Sequence, residues 1–75
     1  MHTETRINAL GLRCPLPLMR AKSAYQKLMP GESITVLADD PQVPHDFESY
    51  TNRVKAKLVW NESNGVFTLV MTRLC

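Results

Sequence analysis

Residues 11–18 read Gly-Leu-Arg-Cys-Pro-Leu-Pro-Leu, and this stretch decides where the first helix of the chain begins. Proline is favoured at the first helical position, because the N–H group that it lacks has no helical partner there. An apolar sequence with helical periodicity follows. We therefore predict that Pro15 is the first residue of a helix (N1), that Pro17 is at N3, and that Cys14 is the N-cap.

A cysteine side chain at an N-cap faces the unpaired N–H groups and the positive end of the helix dipole. Both favour the thiolate over the thiol, and Arg13 adds a positive charge beside it. The sequence thus predicts that Cys14 is a reactive cysteine with a depressed pKa, supported by Arg13, Pro15 and Pro17. The alternative is a buried structural cysteine.

Strands and helices alternate on both sides of this stretch. Before it, β-branched residues and partial alternation predict a strand over 3–10. After it, apolar residues recur at intervals of three and four, which is typical of an amphipathic helix. These residues are Leu18, Ala21, Tyr25 and Leu28. The sequence Met-Pro-Gly-Glu at 29–32 ends this helix, because proline cannot continue it and glycine allows the chain to reverse.

The second half of the chain continues the pattern with a strand over 33–38, where Ile34, Val36 and Ala38 share one face. The remaining predicted elements are a short helix from 43 or 44 to 52 and strands over 57–61 and 66–74. The Asn-Gly pair at 64–65 predicts a hairpin turn between the last two strands. The order β-α-β-α-β-β predicts an α/β (α+β) fold, with a mixed four-stranded sheet and two helices on one face.

Length and composition predict one small domain, residues 1–75. The hydrophobic fraction of 44% and the charged fraction of 21% are ordinary for a soluble globular protein. No apolar run is long enough to span a membrane, and the first residues do not resemble a signal peptide. The two cysteines, Cys14 and Cys75, are too far apart to indicate a disulfide framework. We therefore expect a cytoplasmic protein.

The net charge of +2 is too small to indicate nucleic-acid binding, and we expect none. The distribution of charge is more informative, because a basic stretch precedes an acidic one. The basic residues are Arg13, Arg20, Lys22 and Lys27, and the acidic residues are Asp39, Asp40, Asp46 and Glu48.

The predicted fold brings these two stretches together. In a βαβ unit, the loops that follow two parallel strands lie at the same edge of the sheet. We therefore expect Cys14 to lie beside residues 39–40 in a docking surface for charged protein partners. The residues of this surface are Arg20, Lys27, Asp39, Asp40 and Asp46. The alternative is that they form only solvated faces.

Other kinds of site have little support in the sequence. Two cysteines and two histidines without close spacing form no zinc motif, and the three glycines form no phosphate-binding loop. We therefore predict no metal and no cofactor. His45 lies in the acidic stretch and would act at Cys14 only if the fold brings it there.

Residues 8–19, Asn-Ala-Leu-Gly-Leu-Arg-Cys-Pro-Leu-Pro-Leu-Met, resemble the signature of the TusA/SirA/YedF family of small sulfur carriers. The mark of that family is a Cys-Pro-x-Pro motif at the start of the first helix. The resemblance extends through Pro-Gly-Glu at 30–32 and Ala-Asp-Asp-Pro at 38–41 to Asp46. It therefore covers nearly the entire chain.

The resemblance implies a two-layer sandwich like the C-terminal domain of translation initiation factor three. It also implies that Cys14 accepts sulfane sulfur as a persulfide from a cysteine desulfurase or a rhodanese-like donor. Cys14 would then pass the sulfur to the cysteine of an acceptor protein. In different branches of the family the sulfur ends in thiolated tRNA or serves sulfur oxidation or uptake.

Two departures from the family pattern affect which branch of the family the chain can be assigned to. Asn8 stands where the family usually has Asp, and Phe-Glu-Ser-Tyr-Thr at 47–51 replaces an Ile/Leu-Pro-x-x-Cys continuation. Assignment to the tRNA-thiolation branch therefore does not follow. Two other functions stay open, a non-catalytic regulatory or interaction module with a structural cysteine and a thiol redox protein that uses Cys14 and Cys75. The lack of a Cys-x-x-Cys pair disfavours the second.

Overall fold

A computed structural model describes residues 5–74, which form a four-stranded mixed sheet with two helices on one face. The elements in chain order are β1 Thr5–Ala9, α1 Leu16–Tyr25, β2 Ser33–Ala38, α2 Val43–Val54, β3 Lys57–Ser63 and β4 Val66–Thr72. The predicted fold class and element order are confirmed. No helix among the described residues is long and apolar enough to cross a membrane.

The sheet has the strand order β1-β2-β4-β3. β1 and β2 are parallel, with Ile7 opposite Val36 and Ala9 opposite Ala38. β4 pairs antiparallel with both β2 and β3. Because β1 and β2 are parallel neighbours, the loops that follow them leave the sheet at the same edge.

The core lies between one face of the sheet and the two helices. Ile34, Val36 and Ala38 are fully buried, as their alternation predicts. Phe47 of α2 is the largest fully buried side chain. Trp60 packs edge-on against the ring of Phe67 but stays 39% exposed, so it lies outside the buried core.

The first strand and helix are shorter than the sequence predicts. Of the predicted strand over 3–10, residues 3 and 4 lie outside the described part of the chain. Leu10 leaves the strand because its N–H donates to the Asn8 side chain at 3.0 Å in a local turn. α1 ends at Tyr25, because the N–H groups of Lys27 and Leu28 bond three residues back instead of four.

The later elements differ from prediction only at their ends. α2 runs two residues beyond the predicted Asn52 and stops where Lys55 takes a left-handed conformation at φ 60°. β3 extends to Ser63, and β4 ends at Thr72. The predicted Asn-Gly turn is confirmed, with Asn64 at φ 52° and Gly65 at φ 81°, as a type I′ hairpin requires.

Candidate functional site

Cys14 is exposed on the loop between β1 and α1, and its thiol is free. The predicted helix positions were wrong by one residue, because α1 begins at Leu16 with Pro15 as the N-cap and Pro17 at the second helical position. The N–H of Leu16 donates to the carbonyl of Arg13 at 2.8 Å, which closes a turn around the cysteine. The peptide bond between Cys14 and Pro15 is cis. Because Pro15 is the N-cap, Cys14 lies one residue before it.

Two adjacent aspartates that follow β2 hold this loop. Asp39 accepts a hydrogen bond from the N–H of Gly11 at 3.0 Å. Asp40 accepts one from the N–H of Cys14 at 2.8 Å and another from the N–H of Gln42 at 3.0 Å. The predicted proximity of Cys14 to residues 39–40 is confirmed, and it consists of direct bonds between the two loops.

The Asp40 carboxylate is stabilised in its charged form. Its pKa is lowered chiefly by the hydrogen bond from the N–H of Cys14, then by the bond from Gln42, with a smaller contribution from the charge of Arg13. One oxygen of the carboxylate thus holds the backbone of Cys14, and the other holds the backbone of Gln42. In the free protein, Asp40 therefore positions the cysteine loop.

Replacing Asp40 with asparagine is expected to lower stability at neutral pH. A neutral amide offers only one acceptor to two N–H donors. Because the pKa of Asp40 is lower in the folded than in the unfolded state, its contribution is full above the unfolded pKa of about 4 and is lost as the pH falls through the folded pKa. Asp40→Asn should therefore lose less stability than the parent on acidification.

Urea denaturation across this pH range measures the effect. Asp39→Asn is the matched control, because Asp39 accepts a single N–H that an amide oxygen can still accept. If Asp40→Asn matches the parent in stability at neutral pH and in its acid dependence, the carboxylate does not hold the loop.

A third carboxylate contacts the sulfur itself. The Cys14 Sγ donates a hydrogen bond to Oδ2 of Asp46 at 2.6 Å. Asp46 lies in the first turn of α2, where its N–H bonds to the carbonyl of Gln42. The next residue, Phe47, is fully buried and anchors this turn against the sheet. The carboxylate is therefore positioned by the core as well as by the helix.

The predicted depression of the Cys14 pKa was wrong. The hydrogen bond to Asp46 raises the pKa of the thiol above its usual value, with smaller contributions from desolvation and from the charges of Asp46 and Asp40. The first two helical residues do not donate to the sulfur, because the N–H of Leu16 is bonded to the carbonyl of Arg13 and Pro17 has no N–H. In the free protein the sulfur is therefore held as a thiol.

Replacing Asp46 with asparagine is expected to lower the pKa of Cys14, because the carboxylate that stabilises the thiol and repels the thiolate is lost. Since the thiolate is the nucleophile, alkylation by iodoacetamide at neutral pH should become faster. The measurement is the alkylation rate as a function of pH, with Asp39→Asn as the control that leaves the sulfur contact unchanged. An unchanged or slower rate in Asp46→Asn would show that the carboxylate does not suppress the thiolate.

Two basic residues of the predicted docking surface, Arg20 and Lys27, lie away from the three aspartates. Arg20 and Lys27 are exposed and line a groove of about 720 Å³ between α1 and β1. His45 is exposed and has no bond to Cys14 within residues 5–74. The structure thus brings the aspartates to the cysteine loop and leaves Arg20 and Lys27 on the flank of α1. The role of Asp46 as the thiol's partner has no local sequence signal, because Asp46 is 32 residues from Cys14.

The chain matches a family of known proteins over nearly all of its length. The family model described as sulfurtransferase TusA matches residues 5–73. Two proteins of Neisseria meningitidis, from serogroups A and B, are each 43% identical over 72 residues, which is 95% of this chain and 96% of the relative. Both bear the description "Putative sulfur carrier protein".

A solved structure has the same fold. The crystal structure of a SirA-like protein from Desulfitobacterium hafniense superposes with a TM-score of 0.82 at 25% identity, covering 97% of this chain and 100% of that one. The family match spans β1 to the end of β4 and includes the cysteine loop and all three aspartates. The chain therefore belongs to the sulfurtransferase TusA family.

Proposed function

We propose that this protein is a cytoplasmic sulfur carrier in which Cys14 holds the transferred sulfur as a persulfide. The observation that carries the proposal is an exposed thiol on a loop that aspartates fix from two sides. Such a loop presents one sulfur atom to a partner in a constant orientation. Membership of the TusA family supports a sulfur carrier role, and a reducing compartment keeps the thiol free between cycles.

Loading is a transfer of one sulfur atom between two thiols. The Cys14 sulfur attacks the terminal sulfur of a persulfide on the donor, so that a new S–S bond forms on Cys14 and the S–S bond of the donor breaks. The donor leaves as a thiolate and takes up the proton that Cys14 gives up, and no net oxidation occurs. In delivery, an acceptor thiolate attacks the terminal sulfur, and Cys14 leaves and regains a proton.

Because Asp46 holds the thiol, Cys14 must lose its proton before loading begins. Only the thiolate attacks, and the hydrogen bond to Asp46 keeps the free carrier in the thiol form. A partner that brings a positive charge to Asp46 would lower the pKa of Cys14. The carrier is thus activated by its docked partner and is less exposed to reaction with other electrophiles.

The partners are a cysteine desulfurase or a rhodanese-like donor and an acceptor protein with a reactive cysteine. The charged residues around the loop support recognition by charge, with Asp39, Asp40 and Asp46 near the sulfur and Arg20 and Lys27 along α1. Exposed charges contribute little to folding, but they steer association and reject wrong partners.

Reversing Arg20 and Lys27 to glutamate is expected to slow sulfur transfer by roughly tenfold or more at low salt, because opposite charges accelerate association. Thermal stability should change little, because neither cation has a carboxylate partner in the described part of the chain. The measurement is the second-order transfer rate as a function of ionic strength. A transfer rate that changes neither with ionic strength nor on charge reversal would show that docking is not electrostatic.

The intact mass of the protein after incubation with a cysteine desulfurase and cysteine tests the proposal. A gain of one sulfur atom that a reductant removes supports the carrier. A loss of two hydrogens would support a thiol redox protein, and an unchanged mass with several donors would support a non-catalytic module. Cys75, which the redox function would need, lies outside the described residues.

A further inference from the structure

β1 lies at one edge of the sheet and pairs only with β2 among the described residues. Its outer edge therefore presents backbone N–H and C=O groups to which residues 5–74 add no strand. Such an edge is a template for pairing with another chain. The residues of β1 are Thr-Arg-Ile-Asn-Ala, and Arg6 is the one charged residue among them.

The groove between this edge and α1 has an apolar floor. α1 buries Pro17, Ala21 and Tyr25 against the core. Its other flank leaves Leu16 45% exposed and Met19 54% exposed, and both line the groove together with Ile7 and Leu28. Because α1 runs back along β1, as a βαβ unit requires, Leu16 and Met19 mark the end of the groove nearest Cys14.

The residues that line the groove carry more positive than negative charge. Arg20 and Lys27 line it, and neither side chain has an ion pair or hydrogen bond within the described part of the chain. Glu32, the acidic residue among the described lining residues, already accepts a hydrogen bond from the N–H of Met29 at 2.7 Å. The groove thus favours an occupant that brings carboxylates.

We propose that this groove binds an extended acidic segment of a partner protein as a fifth strand beside β1. A strand of about five residues spans β1, since each residue advances about 3.3 Å. Main-chain bonds to the free edge would supply affinity, and alternate side chains would reach the apolar floor and the two cations. Identifying the partner as a sulfur donor or acceptor rests on the proposed function, whereas the binding itself does not.

The position of the groove favours a partner near the sulfur. A segment that fills it ends beside Leu16, two residues from Cys14. A second copy of the chain fits less well, because pairing two β1 edges about a twofold axis would set both copies of Arg20 and Lys27 along one seam. Like charges placed there oppose the pairing.

The test uses two synthetic peptides and the full chain under reducing conditions. The first is acetyl-Glu-Thr-Leu-Thr-Glu-Thr-Leu-Thr-amide, which places leucine and glutamate on one face of a strand. The second carries lysine in place of each glutamate. We expect the acidic peptide to shift the amide NMR signals of β1 and α1 and to slow hydrogen exchange in β1. The lysine peptide should bind at least about tenfold more weakly.

Matched charge reversals locate the binding. Arg20→Glu with Lys27→Glu should weaken the acidic peptide by about tenfold or more. Arg53→Glu with Lys57→Glu changes the net charge equally on α2 and β3 and should have little effect. No binding at about 1 mM peptide, equal binding of both peptides, or shifts centred outside β1 and α1 would overturn the proposal. If the chain self-associates and hydrogen exchange in β1 is slow without peptide, a second copy occupies the edge instead. No sulfur donor is present, so failure here leaves the proposed function untouched.

Discussion

Replacing Cys14 with serine is expected to abolish sulfur loading and to leave the fold intact. Serine has no sulfur atom that can form a persulfide, so the loss should be complete. The hydroxyl can still donate to Asp46, and the backbone N–H can still donate to Asp40. Because Cys14 is exposed, the substitution removes no core contact.

Intact mass after incubation with the desulfurase measures loading, and the urea midpoint measures the fold. Cys75→Ser is the control, and it should gain one sulfur atom as the parent does. Normal loading of Cys14→Ser would show that Cys14 does not carry the sulfur. Failure of the Cys75→Ser control alone would show the same.

Replacing Phe47 with alanine is expected to cause the largest loss of stability. Phe47 is 0% exposed, and deleting a buried phenylalanine ring costs about 3–5 kcal/mol. A small domain has roughly 5–15 kcal/mol in total, so much of the folded state's margin would be lost. The free energy of unfolding from urea titration measures this.

Phe67→Ala is the matched control, because Phe67 is only partly buried against Trp60. Its loss should be clearly smaller. Phe47 also anchors the turn that carries Asp46, so the Cys14 pKa in Phe47→Ala should move back towards its usual value under folding conditions. An equal or greater loss in Phe67→Ala would contradict the assignment of Phe47 as the main anchor.

The elements that the sequence predicts correctly are those that local patterns determine. The alternation in β2 depends only on which residues face the core, and its predicted bounds match those of the structure. The turn at 64–65 follows from the left-handed conformations that Asn and Gly adopt readily. Element order then determined the sheet edge at which Cys14 and residues 39–40 meet.

The errors arise where distant residues act on the backbone or on the sulfur. Counting from Pro15 gave a helix start one residue early, because the turn between Arg13 and Leu16 depends on how the loop is held. The sign of the Cys14 pKa shift was wrong for the same reason. Arg13 and the helix dipole are local, whereas Asp46 reaches the thiol only after α2 packs on the sheet.

The location of the transferred sulfur tests directly whether Cys14 is the carrier residue. After loading by a cysteine desulfurase, the persulfide is trapped by alkylation and the protein is cleaved after its lysines, which separates residues 1–22 from residues 58–75. We predict that the added sulfur is found on the peptide that contains Cys14 and is absent from the peptide that contains Cys75. Sulfur on the C-terminal peptide alone, or on neither peptide, would contradict the central claim.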